Sequence, residues 1–153
     1  MVCAPPHGMR TLHASITTAE MQDGEGGYTG ACLCGGVRYA IRGTLDAPVA
    51  RHCGQCARTS GHHAVMACCA DADLVIEAAG ALRWYASSAS VKRGFCAECG
   101  GNLFWKDATS EVTYVTAGTL DRPTGLTLSA HIFAGSRADY YDIDDDLPRS
   151  DAW

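Results

Sequence analysis

The chain has 153 residues, a formal net charge of -5 and nine cysteines. Hydrophobic residues make up 47% and charged residues 19%, the composition of an ordered globule with one core rather than of a disordered chain. The acidic balance, with only two lysines and ten arginines, argues against a nucleic-acid partner or an anionic membrane surface, and the longest apolar run, 64–70, falls far short of the ~20 residues of a membrane span.

An odd cysteine count leaves one thiol outside any closed disulfide framework. The first ten residues, interrupted by Pro5 and Pro6, lack the apolar stretch of a secretory signal. The expected location is therefore cytoplasmic and reducing, where clustered cysteines serve metal binding or catalysis.

In chain order, residues 1–27 carry two prolines and several glycines without any period, and read as a flexible leader with Cys3 as an exposed thiol. The folded domain is expected over 28–153. Cys32-Leu-Cys34-Gly-Gly leads into Val37, Tyr39 and Ile41, which alternate with polar or small residues as in a half-buried strand. Residues 51–63, Arg-His-Cys-Gly-Gln-Cys-Ala-Arg-Thr-Ser-Gly-His-His, are the densest run of reactive side chains. The run 64–70 reads as core, with Cys68 and Cys69 on opposite strand faces and so unsuited to one ion. Strands are expected at 74–78, 111–116 and 126–133, and helix only as a turn or two near 55–59 or 136–141. Cys96-Ala-Glu-Cys99-Gly-Gly echoes the first cysteine turn. Short strands punctuated by glycine and proline make this a small all-β domain with short turns and little helix. The acidic stretch 142–146 lacks the glycine and closing glutamate of a calcium loop and reads as solvated.

A Cys-x(1–2)-Cys-Gly turn suits zinc mechanically. Two thiolates must meet one ion at ~2.3 Å, and a following glycine permits positive φ and frees backbone N–H groups to face sulfur. Two such turns, Cys32/Cys34 and Cys96/Cys99, supply the four ligands of a closed structural site that staples the first strand to the middle of the domain. Cys53 and Cys56 can hold two corners of a second, more open metal site. His52, His62 and His63 stand nearby as ligands or bases, and Arg51 and Arg58 as cations that lower thiol pKa or bind a carboxylate.

Gly30-x-Cys-x-Cys-Gly-Gly-x-Arg-Tyr, His52-Cys-x-x-Cys-x-Arg, Tyr85-x-Ser-Ser and Arg93-Gly-Phe-Cys-x-x-Cys-Gly, followed by Ala117-Gly-Thr-Leu-Asp and His131-Ile-Phe, resemble the glutathione-dependent formaldehyde-activating enzyme and centromere protein V family. The resemblance implies a β-tent fold around a zinc held by Cys32, Cys34, Cys96 and Cys99. It also implies a catalytic zinc at Cys53 and Cys56, which the family pattern completes with a third cysteine at the place of Arg51. A guanidinium there removes a ligand and adds positive charge, so the second zinc is expected to be weak or absent unless a histidine completes the site.

Two functions follow as expectations. One is a carbon–sulfur lyase-type enzyme forming S-hydroxymethylglutathione from glutathione and formaldehyde, or acting on a related small thiol adduct. In it Cys53 and Cys56 carry the chemistry through zinc or by direct thiol exchange, Arg58 and Arg93 pair with glutathione carboxylates, and Ser87 and Ser88 bind the peptide or a carbonyl oxygen, or else form a turn between strands. The other is a non-catalytic zinc module that binds a protein or a thiol ligand. Zinc storage or redox sensing through Cys53 and Cys56 is a third reading.

Overall fold

The computed structural model describes residues 27–153, so the expectations for the leader and for Cys3 lie outside the described residues. Strand formation is clearest where alternation is clearest. β1 (Tyr28–Ala31) and β2 (Arg38–Ile41) pair antiparallel, and β5 (Leu74–Ala78) flanks β2 to complete a three-stranded sheet. Tyr39 and Ile41 are fully buried while Arg38 faces solvent, as the period of two requires.

A second sheet has seven strands. β3 (Val49–Arg51), β4 (Ala64–Ala70), β6 (Leu82–Ala86), β7 (Val91–Cys96), β8 (Asn102–Asp107), β9 (Val112–Thr116) and β10 (Ala130–Ile132) lie in the order β10-β3-β4-β9-β8-β7-β6. Only β10 and β3 run parallel. The one α-helix among the described residues, α1 (Gly54–Ser60), fills the connection from β3 to β4. The fold is all-β, as expected.

The main core brings together Val37, Tyr39 and Ile41 of the first sheet side with Ala67, Cys69, Leu103, Phe104 and Val115 of the second. The Tyr39 ring meets Phe104 edge-on at 5.2 Å, and its hydroxyl hydrogen-bonds the Thr119 hydroxyl at 2.7 Å. β4 divides its side chains between two cores. Ala67 and Cys69 enter the main one, while Ala64 and Met66 pack on the opposite face with Cys56, Trp105 and Tyr114. Burial on both faces is why 64–70 reads as an uninterrupted apolar run rather than an alternating one. Cys68 and Cys69 are both buried.

Two expectations are corrected. Of the strand expected at 126–133 only Ala130–Ile132 joins a sheet, because its partner β3 is itself three residues long and follows Pro48. Ser129 turns both its N–H and its hydroxyl to the Pro48 carbonyl instead of continuing a ladder. Helix at 136–141 reduces to a 3-10 turn, Ala134–Ser136, entered through Phe133 in the left-handed region at φ 56°. The strands β6 to β8 escape a reading by alternation. Their register shifts at Gly94, where a Cβ would stand 3.0–3.1 Å from the stacked rings of Phe104 and Trp84. No helix among the described residues is long and apolar enough to cross a membrane.

Phe104 is at the centre of the main core with no exposure. Phe104→Ala is expected to lower the unfolding free energy in urea by ~3–5 kcal/mol through lost burial and a residual cavity. A loss below about 1 kcal/mol would place the core elsewhere.

Candidate functional site

Two turns build the first centre. Cys32 and Cys34 lie in the β1–β2 turn, Cys96 ends β7, and Cys99 lies in the β7–β8 turn. The turns are closed by Gly35 N–H to the Cys32 carbonyl (3.1 Å) and Gly100 N–H to the Cys96 carbonyl (2.9 Å). Gly35 and Gly100 adopt φ of 76° and 72°, values that L side chains resist and that each turn needs in order to present both sulfurs on one side. Backbone donors face the sulfurs, with Val37 N–H 3.2 Å from Cys32 Sγ.

The four Sγ atoms lie within 4.8 Å of one another, and the Cys32–Cys34 and Cys34–Cys96 separations are both 3.6 Å. Two thiolates on one tetrahedral zinc at ~2.3 Å stand about 3.8 Å apart, so the set fits the ion in both number and spacing. Backbone N–H groups of Cys34 and Gly101 pull the Cys99 thiol down to about 6. Cys34 also receives the Gly36 N–H, but the crowded Cys32, Cys96 and Cys99 thiols outweigh it and push Cys34 up to about 12. Four thiolates this close require a cation between them.

The second cluster is built on α1. Cys53 caps the helix from extended backbone, and its Sγ accepts the Cys56 N–H at 3.3 Å. The two sulfurs stand 2.9 Å apart, with Cys53 half-buried and Cys56 buried. Burial and the neighbouring Cys53 push the Cys56 thiol up to about 11, against the pull of the Arg93 and Arg51 charges.

Arg51 ends β3 and is 4% exposed. Its guanidinium carbon stands 3.9 Å from the Trp153 ring centroid, 4.3 Å from Tyr114 and 5.2 Å from Trp105, so an aromatic box rather than a carboxylate accommodates the charge. Burial lowers its pKa to about 10, which leaves it protonated at neutral pH, and Nε and Nη2 have no hydrogen-bond partner.

This pair does not fit a second zinc. The sulfurs are closer than two ligands of one ion, and among the described residues no third histidine, cysteine or carboxylate atom joins them within 4.8 Å. The cation of Arg51 adds repulsion on that side. The metal role expected of Cys53 and Cys56 is therefore not carried further.

The histidines expected beside this pair gather elsewhere. His52 is 2% exposed and bridges Tyr141 (Nδ1 to hydroxyl, 2.6 Å) and His131 (Nε2 to Nδ1, 2.8 Å), and His131 Nε2 reaches Asp145 at 2.9 Å. With His131 neutral, Asp145 accepts its Nε2–H, its Nδ1 accepts the His52 Nε2–H, and the Tyr141 O–H donates to His52 Nδ1, so every polar atom is paired. The His62 and His63 rings meet at 4.5 Å between centroids, tilted by 54°, and His62 lies against Tyr140 and Tyr141. In the sequence His131 counted only as part of a family block and Asp145 as part of a solvated acidic stretch; their link to His52 and Tyr141, across 79 to 93 positions, had no local signal.

A cavity of about 230 Å³ opens between α1 and the Cys96–Cys99 turn, lined by Thr59, Tyr85, Arg93, Phe95, Gly100 and Asn102. Arg93 is 5% exposed, donates from Nη2 to Gln55 Oε1 at 3.1 Å, and leaves Nε without a partner. Gln55 lies between the two cysteines in sequence, so this hydrogen bond ties the Arg93 wall of the cavity to α1. Arg58 is exposed on α1. Ser87 and Ser88 form the β6–β7 turn, both N–H groups meeting the Val91 carbonyl and Ser88 Oγ accepting the Val91 N–H. Gln55, Thr59 and Asn102 were not singled out in the sequence; their only signal was proximity to the cysteine pairs.

Burial, then the neighbouring His63, His131 and His62, depress the His52 pKa to about 4. Folding favours neutral His52, so the unfolded chain binds the extra proton and this residue's share of stability is lost as pH falls from 6.5 toward 4. The His52 imidazole resonances are expected to titrate near pH 4 in NMR spectra; a midpoint above 6 would contradict the buried relay.

Among curated proteins none matches this chain. A Rhodobacter sphaeroides protein of known crystal structure, determined as a structural genomics target, superposes with a TM-score of 0.54 at 22% identity, covering 63% of this chain and 91% of that one. The likeness shows a shared fold. The profile described as glutathione-dependent formaldehyde-activating enzyme matches residues 27–136, which span both cysteine turns, α1 and Arg93. The chain belongs to the glutathione-dependent formaldehyde-activating enzyme family.

Proposed function

We propose that this chain forms and breaks a carbon–sulfur bond between a small thiol such as glutathione and formaldehyde, the product being S-hydroxymethylglutathione. Family membership supports the reading, and one observation carries it. Arg93 is a buried guanidinium with an unpaired Nε, set in the wall of the cavity beside the Cys53–Cys56 helix. A buried cation with a spare N–H is a receptor for a carboxylate, and glutathione presents two. Arg58, exposed on the same helix, is suited to the second. Ser87 and Ser88 stand two and three positions beyond Tyr85, which lines the cavity, within reach of the peptide groups of a bound thiol.

The reaction asks little beyond placement. Cys53, acting as the thiolate, takes the proton of the incoming thiol, and the new thiolate sulfur bonds to the carbonyl carbon as the C=O π pair moves onto oxygen. That oxygen then recovers the proton from Cys53, so the side chain ends as it began. Cys56 N–H fixes Cys53 Sγ during the transfer. Thiol addition to formaldehyde is already facile, so holding the two reactants together supplies most of the acceleration. Zinc at Cys32, Cys34, Cys96 and Cys99, when bound, contributes folding free energy.

NMR exchange spectroscopy of formaldehyde with glutathione is expected to show acceleration by the protein. Arg93→Gln is expected to lower kcat/KM roughly 10- to 100-fold, the loss of one charged hydrogen bond worth ~1.5–3 kcal/mol, with near-UV circular dichroism unchanged. No acceleration by the wild type, or an Arg93→Gln variant of equal efficiency, would overturn the reading.

A further inference from the structure

We propose that Cys53 and Cys56 form a reversible dithiol–disulfide couple that exchanges with low-molecular-weight disulfides such as oxidised glutathione. The inference shares the site of the carbon–sulfur chemistry but not its reaction, and formaldehyde takes no part in it.

Geometry carries the proposal. The sulfurs stand 2.9 Å apart on residues held in fixed register by the Cys56 N–H to Cys53 Sγ bond. A disulfide needs ~2.05 Å, so closure asks less than about 1 Å of movement. The two thiols differ in access. Cys53 is half-buried at the start of α1, whereas Cys56 is 3% exposed and backed by Ala64 and Met66. That asymmetry separates an attacking thiol from a resolving one.

Nothing in the surroundings competes for the pair. Among the described residues no third ligand atom is near enough to complete a metal site, and the guanidinium of Arg51 lies close by. Arg51 and Arg93 both keep buried N–H groups without partners close to the pair. Two unpaired cations repel a metal ion and favour an anion, whether a thiolate of the pair or a carboxylate of the exchanging peptide.

The electron balance closes with the disulfide as oxidant. The Cys53 thiolate attacks one sulfur of the external disulfide, forming a mixed disulfide and expelling one thiolate. The Cys56 thiolate then attacks Cys53 Sγ, forming the Cys53–Cys56 bond and expelling the second thiolate. The protein loses two electrons and two protons; the small disulfide becomes two thiols.

The test uses the full zinc-loaded chain and oxidised glutathione, without formaldehyde, read by intact mass and peptide mapping. The wild type is expected to lose two hydrogens and yield a Cys53–Cys56 linked peptide, with no lasting glutathionyl adduct. Cys56→Ser is expected to trap one glutathionyl group on Cys53, and Cys53→Ser to react at least tenfold more slowly at this segment. A wild type that stays reduced at both positions, one that ends as a stable adduct, or a Cys56→Ser variant modified elsewhere would overturn the proposal. Formaldehyde–glutathione exchange measured separately distinguishes this failure from failure of the carbon–sulfur reading.

Discussion

Four thiols held within 4.8 Å of one another couple the two sheets of this protein. Cys32 and Cys34 belong to the turn that joins β1 to β2 in the three-stranded sheet; Cys96 and Cys99 belong to the turn that joins β7 to β8 in the seven-stranded one. Each turn needs a glycine at positive φ to point its sulfurs inward, and each leaves backbone N–H groups facing them. Crowded thiolates repel one another unless a cation sits between them, so the arrangement stabilises the fold only when a metal joins it. Beneath the centre, Val37, Leu103 and Phe104 make the main core, and the cavity wall at Gly100 is part of the same turn. Positioning of the site thus depends on closure of the sheets.

The thiol pair depends on a second constraint, the burial of β4 on both faces. Met66 and Ala64 give α1 an apolar seat on the outside of the large sheet, opposite the face that Ala67 and Cys69 present to the main core. Cys56 packs into that seat, and Cys53 stays at its rim. Arg51, one strand residue before the helix connection, is accommodated by Trp105, Tyr114 and Trp153. The position that the family pattern gives to a thiolate therefore holds a fixed positive charge. A fixed cation there disfavours a shared metal, and the proposed exchange and proton-transfer roles of the two remaining thiols rest on it.

Features set by local spacing were legible in the sequence. Both Cys-Gly-Gly turns, the alternation of Val37, Tyr39 and Ile41, the strand at 74–78 and the short helix at 55–59 each depend on neighbours a few residues away. Features that depend on distant partners were not. The aromatic box around Arg51 uses Trp153, the histidine chain reaches from His52 to Asp145, and β10 is shortened by the length of β3. Strands β6 to β8 lacked a clean period because Trp84 and Tyr85 are exposed on an edge strand and Gly94 leaves its place to two rings. Arg93 was legible as a cation near the cysteines, but its burial and unpaired Nε required the fold.

Metal content bears most directly on the claim that one four-thiolate centre closes the fold while Cys53 and Cys56 stay free of metal. Mass spectrometric metal analysis of the purified chain should find one zinc, retained in the Cys53→Ser, Cys56→Ser double variant and lost together with native circular dichroism in Cys99→Ser. Two zincs in the wild type and one in the double variant, or a folded zinc-free Cys99→Ser chain, would contradict it.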